Sequence, residues 1–483
     1  MRLTTKRPRG WRRRLRPLLL VLVALGRPGP PCTGAEELRS LPDDQRYFNT
    51  PDDMLPYRRQ DPYVRFFLDS WQTGLYYYGP GREYPEPDGL ESVKIGFVGP
   101  IERIIPYTEG DAMPHQYFQM GQYMFHGALL ALEEANAMGG YRDKLPFELV
   151  TKNDPVVQVD HTWMWAPFSG NVVDLCYQDK VWALFGTIGG ENSHILIRIA
   201  LKVEIPIMNT ADTDPTFPET RIPWLFRVIS DDRIQCYALA KYAYDIKGYQ
   251  RVAVLRYGGR YGRVGTKEFR EASQRLRRPI PIELRFNNGE TDFRDRLERI
   301  RGVNPDAVFL WGNAVECGRI IKQMREMGMT QPVLGSDRML DPDFVRIAGS
   351  AAEGTVASSP WDPTRENEQF DAFRTQYMAR FDGEEPETYA AHAYDGMRML
   401  LLAINEAGLN RALIRDALER WKREPFPGVT GPIPLNDILV DAGEIAIAKL
   451  ENGSWRFFSE ADAGIQLPRV VPKEAPPAEG GDQ

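Results

Sequence analysis

The chain has little of what a membrane span or a common hydrolytic site needs. Among its 483 residues, no apolar stretch reaches the roughly 18 residues that cross a bilayer, so we expect its body not to span a membrane. It also lacks a GxSxG elbow, an HExxH pair and a Walker lysine loop. These absences argue against a serine hydrolase, a zinc protease and a P-loop nucleotidase, and we expect no enzymatic activity.

Histidine and cysteine are also scarce, with five and four residues in the whole chain. The histidines are scattered, and the cysteines match no CxxC spacing of a metal or redox site. We therefore expect no metal site. Cys176, Cys236 and Cys317 are interpreted as buried residues on helix faces.

A spaced glycine motif, Gly259, Gly262 and Gly265, precedes the helix that the pattern predicts over residues 266–276. The motif lacks the G-x-G pair that lets a backbone approach a pyrophosphate. We do not interpret it as a dinucleotide site, and we expect no cofactor.

Basic charge is concentrated at the start of the chain. Residues 1–35 contain nine Lys or Arg and no Asp or Glu, so the remainder carries 51 basic against 67 acidic residues, a net charge of −16. Such a surface repels a phosphate backbone. Nucleic acid is therefore not expected as a partner.

The basic start is followed by an apolar run, residues 17–26, in the order typical of a secretory signal peptide. We expect cleavage after residue 35, with residue 26 as an alternative, and a secreted or periplasmic protein. Cys32 could mark a lipoprotein, but Pro30 and Pro31 before it fit such a site poorly. We therefore favour secretion over a lipid anchor.

Two further segments differ in amino-acid composition from the rest of the chain. Residues 36–90 are rich in Pro, Asp, Arg and aromatic residues without a sustained helical or strand period. We interpret them as an N-terminal extension that packs on the body; docking of a partner is the alternative. Residues 461–483 are expected to form a flexible tail.

The stretch over residues 181–215 has the order strand, glycine loop, helix, strand, polar turn. The glycine pair Gly189 and Gly190 leads into a helix expected to begin near Asn192 or Ser193. In an open parallel sheet, ligands bind outside the carboxyl ends of the strands, where the NH groups of a helix start favour an anion. The stretch predicts a carboxylate-binding edge.

Strand-like and helix-like segments alternate over residues 93–228 and again over residues 251–357. This alternation is typical of a parallel sheet with helices on both faces. Three helices and two short strands, over residues 437–440 and 444–450, are expected to follow. Since 483 residues exceed the roughly 250 to 300 at which one core stops growing, the sequence predicts an α/β fold with two doubly wound parallel-sheet lobes.

Five short motifs occur in the order of one known family. They are KIGFVGP (residues 94–100), GQYMFHGALLALEEANAMGG (residues 121–140), KNDP (residues 152–155), RYGRVG (residues 260–265) and VLGSD (residues 333–337). Over residues 91–458 the chain resembles the type I periplasmic binding proteins, in particular the branched-chain amino-acid (Leu/Ile/Val) and amide group of ABC importers.

The resemblance implies two lobes joined by a hinge of three segments. Lobe I would comprise residues 91–230 and 361–431, and lobe II residues 231–360 and 432–460. The ligand would lie in the interlobe cleft, which shuts by hinge closure. An ABC permease and its ATPase subunits are the implied partners.

The resemblance also assigns the ligand's carboxylate end to the loop at Gly190. A serine usually stands at that position, and here only the backbone NH groups of Gly190 and Glu191 remain. We expect the Glu191 side chain to face away from the ligand. Ala211 would offer its carbonyl, and Thr213 its hydroxyl and NH.

Three residues are implied at the other end of the ligand. Asp337 would receive an α-ammonium, although an ordinary surface ion pair with Arg338 is the alternative. Tyr261 would close over the ligand from the second lobe. Tyr389 would line the side-chain pocket, or simply pack in the core.

Together these features predict a non-enzymatic solute receptor that delivers an amino acid or an amide-type ligand to an ABC importer. A stand-alone sensor subunit of the same fold is the alternative. An amide-hydrolysing enzyme is a weaker one, because no nucleophile and base occur at a readable spacing.

Overall fold

The computed structural model describes Tyr77 and residues 79–102, 112–155 and 165–467. The predictions for the signal peptide, for Cys32, for most of the extension and for the end of the tail lie outside these residues. Within the described part, no helix is long and apolar enough to cross a membrane.

The first half of the described chain forms a five-stranded parallel sheet, called here the first sheet. Its elements are β1 (Val93–Gly99), α1 (Ala112–Ala137), β2 (Phe147–Asn153), α2 (Trp165–Tyr177), β3 (Ala183–Gly186), α3 (Gly190–Val203), β4 (Ile207–Asn209) and β5 (Leu225–Arg227). The strand order is β2-β1-β3-β4-β5. The order reverses at β1, so a crevice opens beyond the carboxyl ends of β1 and β3.

The next run repeats this topology in a second sheet. Its elements are α4 (Asp232–Lys241), β6 (Val252–Tyr257), α5 (Arg260–Arg275), β7 (Glu283–Phe286), α6 (Arg294–Gly302), β8 (Ala307–Trp311), α7 (Ala314–Glu326), β9 (Val333–Gly335), α8 (Pro342–Ala348) and β10 (Val356–Ser359). These strands are parallel, in the order β7-β6-β8-β9-β10.

After β10 the chain returns to the first sheet. The segment contains α9 (Glu368–Arg380), α10 (Thr388–Ala407), α11 (Arg411–Leu418) and a hairpin of β11 (Phe426–Gly428) and β12 (Gly431–Ile433). Buried side chains of α9, α10 and α11 share one apolar core with those of β1 and α1. That core also includes Ile433, Leu435 and Leu439. The predicted lobe boundaries stay a prediction.

The chain then joins the second sheet through β13 (Ala446–Glu451) and β14 (Ser454–Ser459). The predicted fold class, α/β with two doubly wound sheets, is confirmed with one correction, because both of these strands pair antiparallel at the edge beyond β10. A two-residue turn joins them. Asn452 and Gly453 have φ values of 53° and 77°, as a type I′ hairpin requires.

Several predicted boundaries are wrong. The helix expected from Asn192 begins at Gly190, and the helix expected from residue 266 begins at Arg260. Residues 437–440, expected as a strand, form a turn in which Val440 makes an isolated bridge to Arg227. The three cysteines Cys176, Cys236 and Cys317 are buried on helices, as predicted.

The described part of the extension lies against the body. The ring of Tyr77 packs on Trp224 with 4.6 Å between centroids. Arg82 makes an ion pair with Asp416 in α11, at 2.5 Å. Asn410, the N-cap of α11, donates to the carbonyl of Gly81 at 2.8 Å. The end of the extension therefore packs across α11.

The first core depends on the close approach of α1 to α10. A Cβ placed on Gly127 of α1 would lie 2.1 Å from the carbonyl oxygen of Ala390 in α10. Because backbone occupies this space, no rotamer change relieves the overlap. Glycine is therefore required for the two helices to touch.

We expect Gly127→Ala to lower the free energy of unfolding by about 1 to 3 kcal/mol, since the added methyl overpacks a close-packed helix interface. Gly170→Ala in α2 is the matched control, because its Cβ would meet nothing within 4 Å. It should raise stability by about 0.4 to 1 kcal/mol. Chemical denaturation of both variants measures the difference; equal effects would contradict the packing argument.

Candidate ligand-binding cleft

A cavity of about 560 Å³ lies between the two sheets. On the first-sheet side it is lined by Tyr117, Trp165, residues 188–191, Asp212 and Asp214. On the second-sheet side it is lined by Asp232 at the start of α4, residues 257–261, Arg263, Asn287, Asn288 and Arg338. The cavity therefore lies where β3, β4, β6, β7 and β9 end, at the edge that the sequence predicted for a ligand.

The glycine loop before α3 is held by a buried carboxylate. Asp154, at the end of β2, accepts hydrogen bonds from the Asn192 amide at 2.5 Å and from the Thr187 hydroxyl. Burial raises the pKa of Asp154 to about 7, although both hydrogen bonds act in the opposite direction. Asp154 thus fixes both ends of the loop that aims the start of α3 at the cavity.

Gly190 leaves room for an ion pair that crosses the cleft. Arg260, the first residue of α5, donates from Nε to Asp214 Oδ2 at 2.5 Å. A Cβ on Gly190 would lie 2.5 Å from that oxygen and 2.8 Å from that nitrogen. The side chain that the resemblance places here would collide with the pair.

Arg260 makes further contacts on the first-sheet side. Its Nη2 donates to the Thr216 hydroxyl at 2.7 Å and lies 3.0 Å from His194 Nε2. Thr216 in turn donates to Asp214 Oδ1 at 2.7 Å. Burial, followed by the charge of Arg260, lowers the pKa of His194. The guanidinium is therefore anchored at three points across the cleft.

Carboxylates crowd the cavity, both on its first-sheet side and at the start of α4. Burial raises the pKa of Asp212 to about 8, with the charge of Asp214 as the next cause. Burial also raises the pKa values of Asp232 and Glu191. Glu191 lines the cavity, and the expectation that its side chain faces away from the ligand stays a prediction.

The second-sheet side carries an aromatic and a cationic group. Tyr261 lines the cavity and donates a hydrogen bond to the Asp337 carboxylate. The Arg338 guanidinium lies 3.6 Å from the centroid of the Tyr261 ring. Sequence reasoning placed Asp337 toward the ligand, but it is Arg338 that lies on the wall.

Three of the predicted site residues, Gly190, Glu191 and Tyr261, line the cavity. The other four are buried one layer behind it and are not among the described residues of its wall. Ala211 precedes Asp212, and the Thr213 carbonyl accepts a hydrogen bond from the Asp232 NH at 2.8 Å. Asp337 accepts a hydrogen bond from Tyr261, and Tyr389 lies near Arg338. Direct ligand contact by these four stays a prediction.

Sequence reasoning missed several wall residues, among them Tyr117, Arg260 and the acids Asp212 and Asp214. Arg260 belongs to the RYGRVG motif, and both acids lie in or next to the polar turn. The sequence therefore identified the segments that form the wall, but not these side chains as part of it. Among the tryptophans, Trp165 lines the cavity, whereas Trp224 and Trp311 are buried in the cores.

Comparisons with known proteins agree with this fold. The sequence profile described as periplasmic binding protein matches residues 116–437. The chain is 27% identical to Leu/Ile/Val-binding protein homolog 2 of Brucella abortus over 340 residues, 70% of this chain and 86% of that protein.

Solved structures are similar over about three quarters of the chain. The branched-chain amino-acid substrate-binding protein LivJ of Streptococcus pneumoniae, in complex with isoleucine, has a TM-score of 0.64 at 26% identity, covering 76% of this chain and 99% of that one. The leucine-binding protein LivK of Thermotoga maritima has a TM-score of 0.65 at 24% identity, covering 76% and 97%.

The raised pKa of Asp154 predicts a pH dependence of stability. Between the unfolded value of 3.8 and about 7 the folded chain keeps a proton that the unfolded chain has lost, so stability falls as pH rises through this window, by at most about 1.4 kcal/mol per pH unit. Asp154→Asn should flatten this decline in denaturation curves taken from pH 4 to 8. The surface variant Asp245→Asn should keep it; an unchanged slope in Asp154→Asn would contradict the assignment.

We expect Gly190→Ser to displace the ion pair between Arg260 and Asp214, and so to lower the free energy of unfolding by about 1 to 3 kcal/mol, between the values for exposed and buried pairs. Small-angle scattering of the ligand-free protein should show a larger radius of gyration, because a contact across the cleft is lost. Gly302→Ser, with nothing within 4 Å of its Cβ, is the control. A variant as compact as the original chain would refute the role of the pair.

Proposed function

The chain belongs to the periplasmic binding protein family, and on this premise we propose that it captures a small amino acid or amide-type solute in the cleft between its sheets and delivers it to the permease and ATPase subunits of an ABC importer. The resemblance stated from the sequence is confirmed by this membership. The family is extracytoplasmic; export of this chain by a signal peptide in residues 1–35 is part of the proposal.

One observation carries the proposal: a cavity of solute size lies between two sheets whose side chains touch across it. Arg260 of the second sheet contacts Asp214 of the first. Gln116 at the start of α1 donates to the Arg338 carbonyl at 3.3 Å and accepts from the Ala314 NH at 3.2 Å. A binder that shuts on its ligand by hinge closure needs such contacts in its closed form.

The proposed ligand class follows from the relatives and from the wall. The Brucella relative is named as a Leu/Ile/Val-binding protein, and the LivJ structure contains isoleucine. The wall of this chain combines the rings of Tyr117, Tyr257 and Tyr261 with charged groups of both signs. Such a wall suits a small solute with one apolar part and polar ends.

The site supports binding without turnover. His194 does lie 3.0 Å from the hydroxyl of Thr216, as a base and a nucleophile would. That hydroxyl already bonds Asp214 and Arg260, and neither His194 nor Thr216 is among the described residues that line the cavity. We therefore propose no catalytic role for this pair.

A thermal-shift screen over amino acids, amides and small carboxylates tests the proposal. A ligand present at about 100 times its dissociation constant should stabilise the protein by about 2.7 kcal/mol. Asp232→Asn, which alters a buried wall residue, should reduce the shift, whereas the surface variant Asp245→Asn should not. If no compound in the screen raises the unfolding temperature, the proposed ligand class is wrong, and release of ammonia from an amide would favour an enzyme instead.

A further inference from the structure

Arg338 is a buried guanidinium on the second-sheet wall of the cavity. Its residue is 7% exposed, and it lines the cavity directly. Nη1 donates to the Tyr117 hydroxyl and to the Asn313 side-chain oxygen, both at 2.9 Å. The guanidinium carbon lies 3.6 Å from the ring centroid of Tyr261 and 5.1 Å from that of Tyr117. The group is thus held rigidly between two rings.

The charge of Arg338 has no carboxylate directly against it. No Asp or Glu oxygen of the described residues lies within 4.0 Å of its nitrogens, and Nε is buried without a hydrogen-bond partner. The Asp337 carboxylate, which accepts from the Tyr261 hydroxyl, and the Asp232 carboxylate both interact with this charge from a longer distance, and neither forms an ion pair with it. Buried charges in proteins are normally paired. A buried cation without an ion-pair partner at a cavity wall can receive an anion that enters the cavity.

The opposite wall disfavours an anion. Glu191, Asp212 and Asp214 all lie around the start of α3, and of these three only Asp214 forms an ion pair, with Arg260. A helix start attracts an anion weakly, and nearby carboxylates oppose this attraction. Among the charged wall residues, the first-sheet side therefore has only acids, whereas the second-sheet side has Arg260, Arg263 and Arg338 together with Asp232.

We propose that Arg338 binds the carboxylate of the ligand, so that the ligand lies in the cleft with its acid end toward the second sheet. This orientation is opposite to the one implied by the resemblance, which assigns the carboxylate to Gly190 and Glu191 and an ammonium to Asp337. Any cationic end faces Glu191 and Asp212 on the first-sheet side. The inference rests on the proposed function and specifies which group of the solute each wall receives.

Three probes of one shape separate the two orientations. Leucine carries both charges, 4-methylpentanoate only the carboxylate and 3-methylbutylamine only the ammonium. Thermal shift and calorimetry on the full chain should show that the first two stabilise the wild type and that Arg338→Gln weakens both at least tenfold. Arg346→Gln, an exposed arginine paired with Asp343, should leave both affinities unchanged.

The opposite result is equally clear. If the amine alone binds, or if Arg338→Gln keeps the affinity for 4-methylpentanoate, Arg338 is not the carboxylate receptor. A weaker binding of leucine in Asp337→Asn together with full binding in Arg338→Gln would establish the orientation implied by the resemblance.

A second measurement does not need a ligand. Arg338→Met removes a buried charge and keeps most of the side-chain volume, so the empty protein should unfold at the same or a higher temperature than the wild type. A lower temperature would show that Arg338 serves the fold through Tyr117 and Asn313, and would overturn the proposal. Failure of all three probes with a raised temperature in Arg338→Met would reject the amino-acid ligand class while retaining Arg338 as an anion receptor.

Discussion

An ion pair between Arg260 at the start of α5 and Asp214 in the turn after β4 holds one side of the cleft, together with the contacts of Gln116 and Tyr117 to the second sheet. Three local features permit it. Gly190 has no side chain where the pair lies, Asp214 is buried at 7% side-chain exposure, and α5 begins early enough to carry Arg260 to the edge of the second sheet. Because each feature lies on a different segment, the loop, the turn and the helix are constrained together.

The same pair organises the charges around it. Arg260 lies against Asp214, and the remaining acids on that wall, Asp212 and Glu191, have raised pKa values because they are buried and close to Asp214. Across the cavity Arg338 is held by two tyrosine rings and by Asn313. In a site shielded from water, such charges interact more strongly than at the surface. The cleft therefore contains charged groups of both signs between two apolar cores.

Most of the fold could be predicted from the sequence, because alternating strand and helix patterns specify parallel sheets and the strand ends locate the ligand edge. The error at α5 has a physical cause. Gly262 and Gly265 resemble loop residues, but a Cβ there would lie 2.0 Å from the Tyr257 carbonyl oxygen and 2.2 Å from Trp311 Nε1. They allow the helix to pack closely on β6 and β8. The Asn452-Gly453 pair is typical of a two-residue hairpin turn, but the prediction of the last strands considered only the apolar pattern.

The side chains of the wall were harder to predict than their segments. A motif identifies the loop, but whether Asp337 or Arg338 faces the cavity depends on the short helical turn at residues 337–340, in which successive side chains point about 120° apart. Long arginine side chains also reach across the cleft, and sequence spacing cannot specify their end points. Residues such as Arg260 and Tyr117 could be located only once both sheets were in place.

The contact of α1 with α10 at Gly127 has a consequence for how specificity can change. The same helix carries Gln116 and Tyr117 into the cleft, eleven residues earlier, or about 16 Å along the axis. Because α1 is a stiff helix that packs tightly at Gly127, any shift at this contact also moves Gln116 and Tyr117. Substitutions at the interface of α1 and α10 would therefore change which solute binds without altering a residue that contacts it.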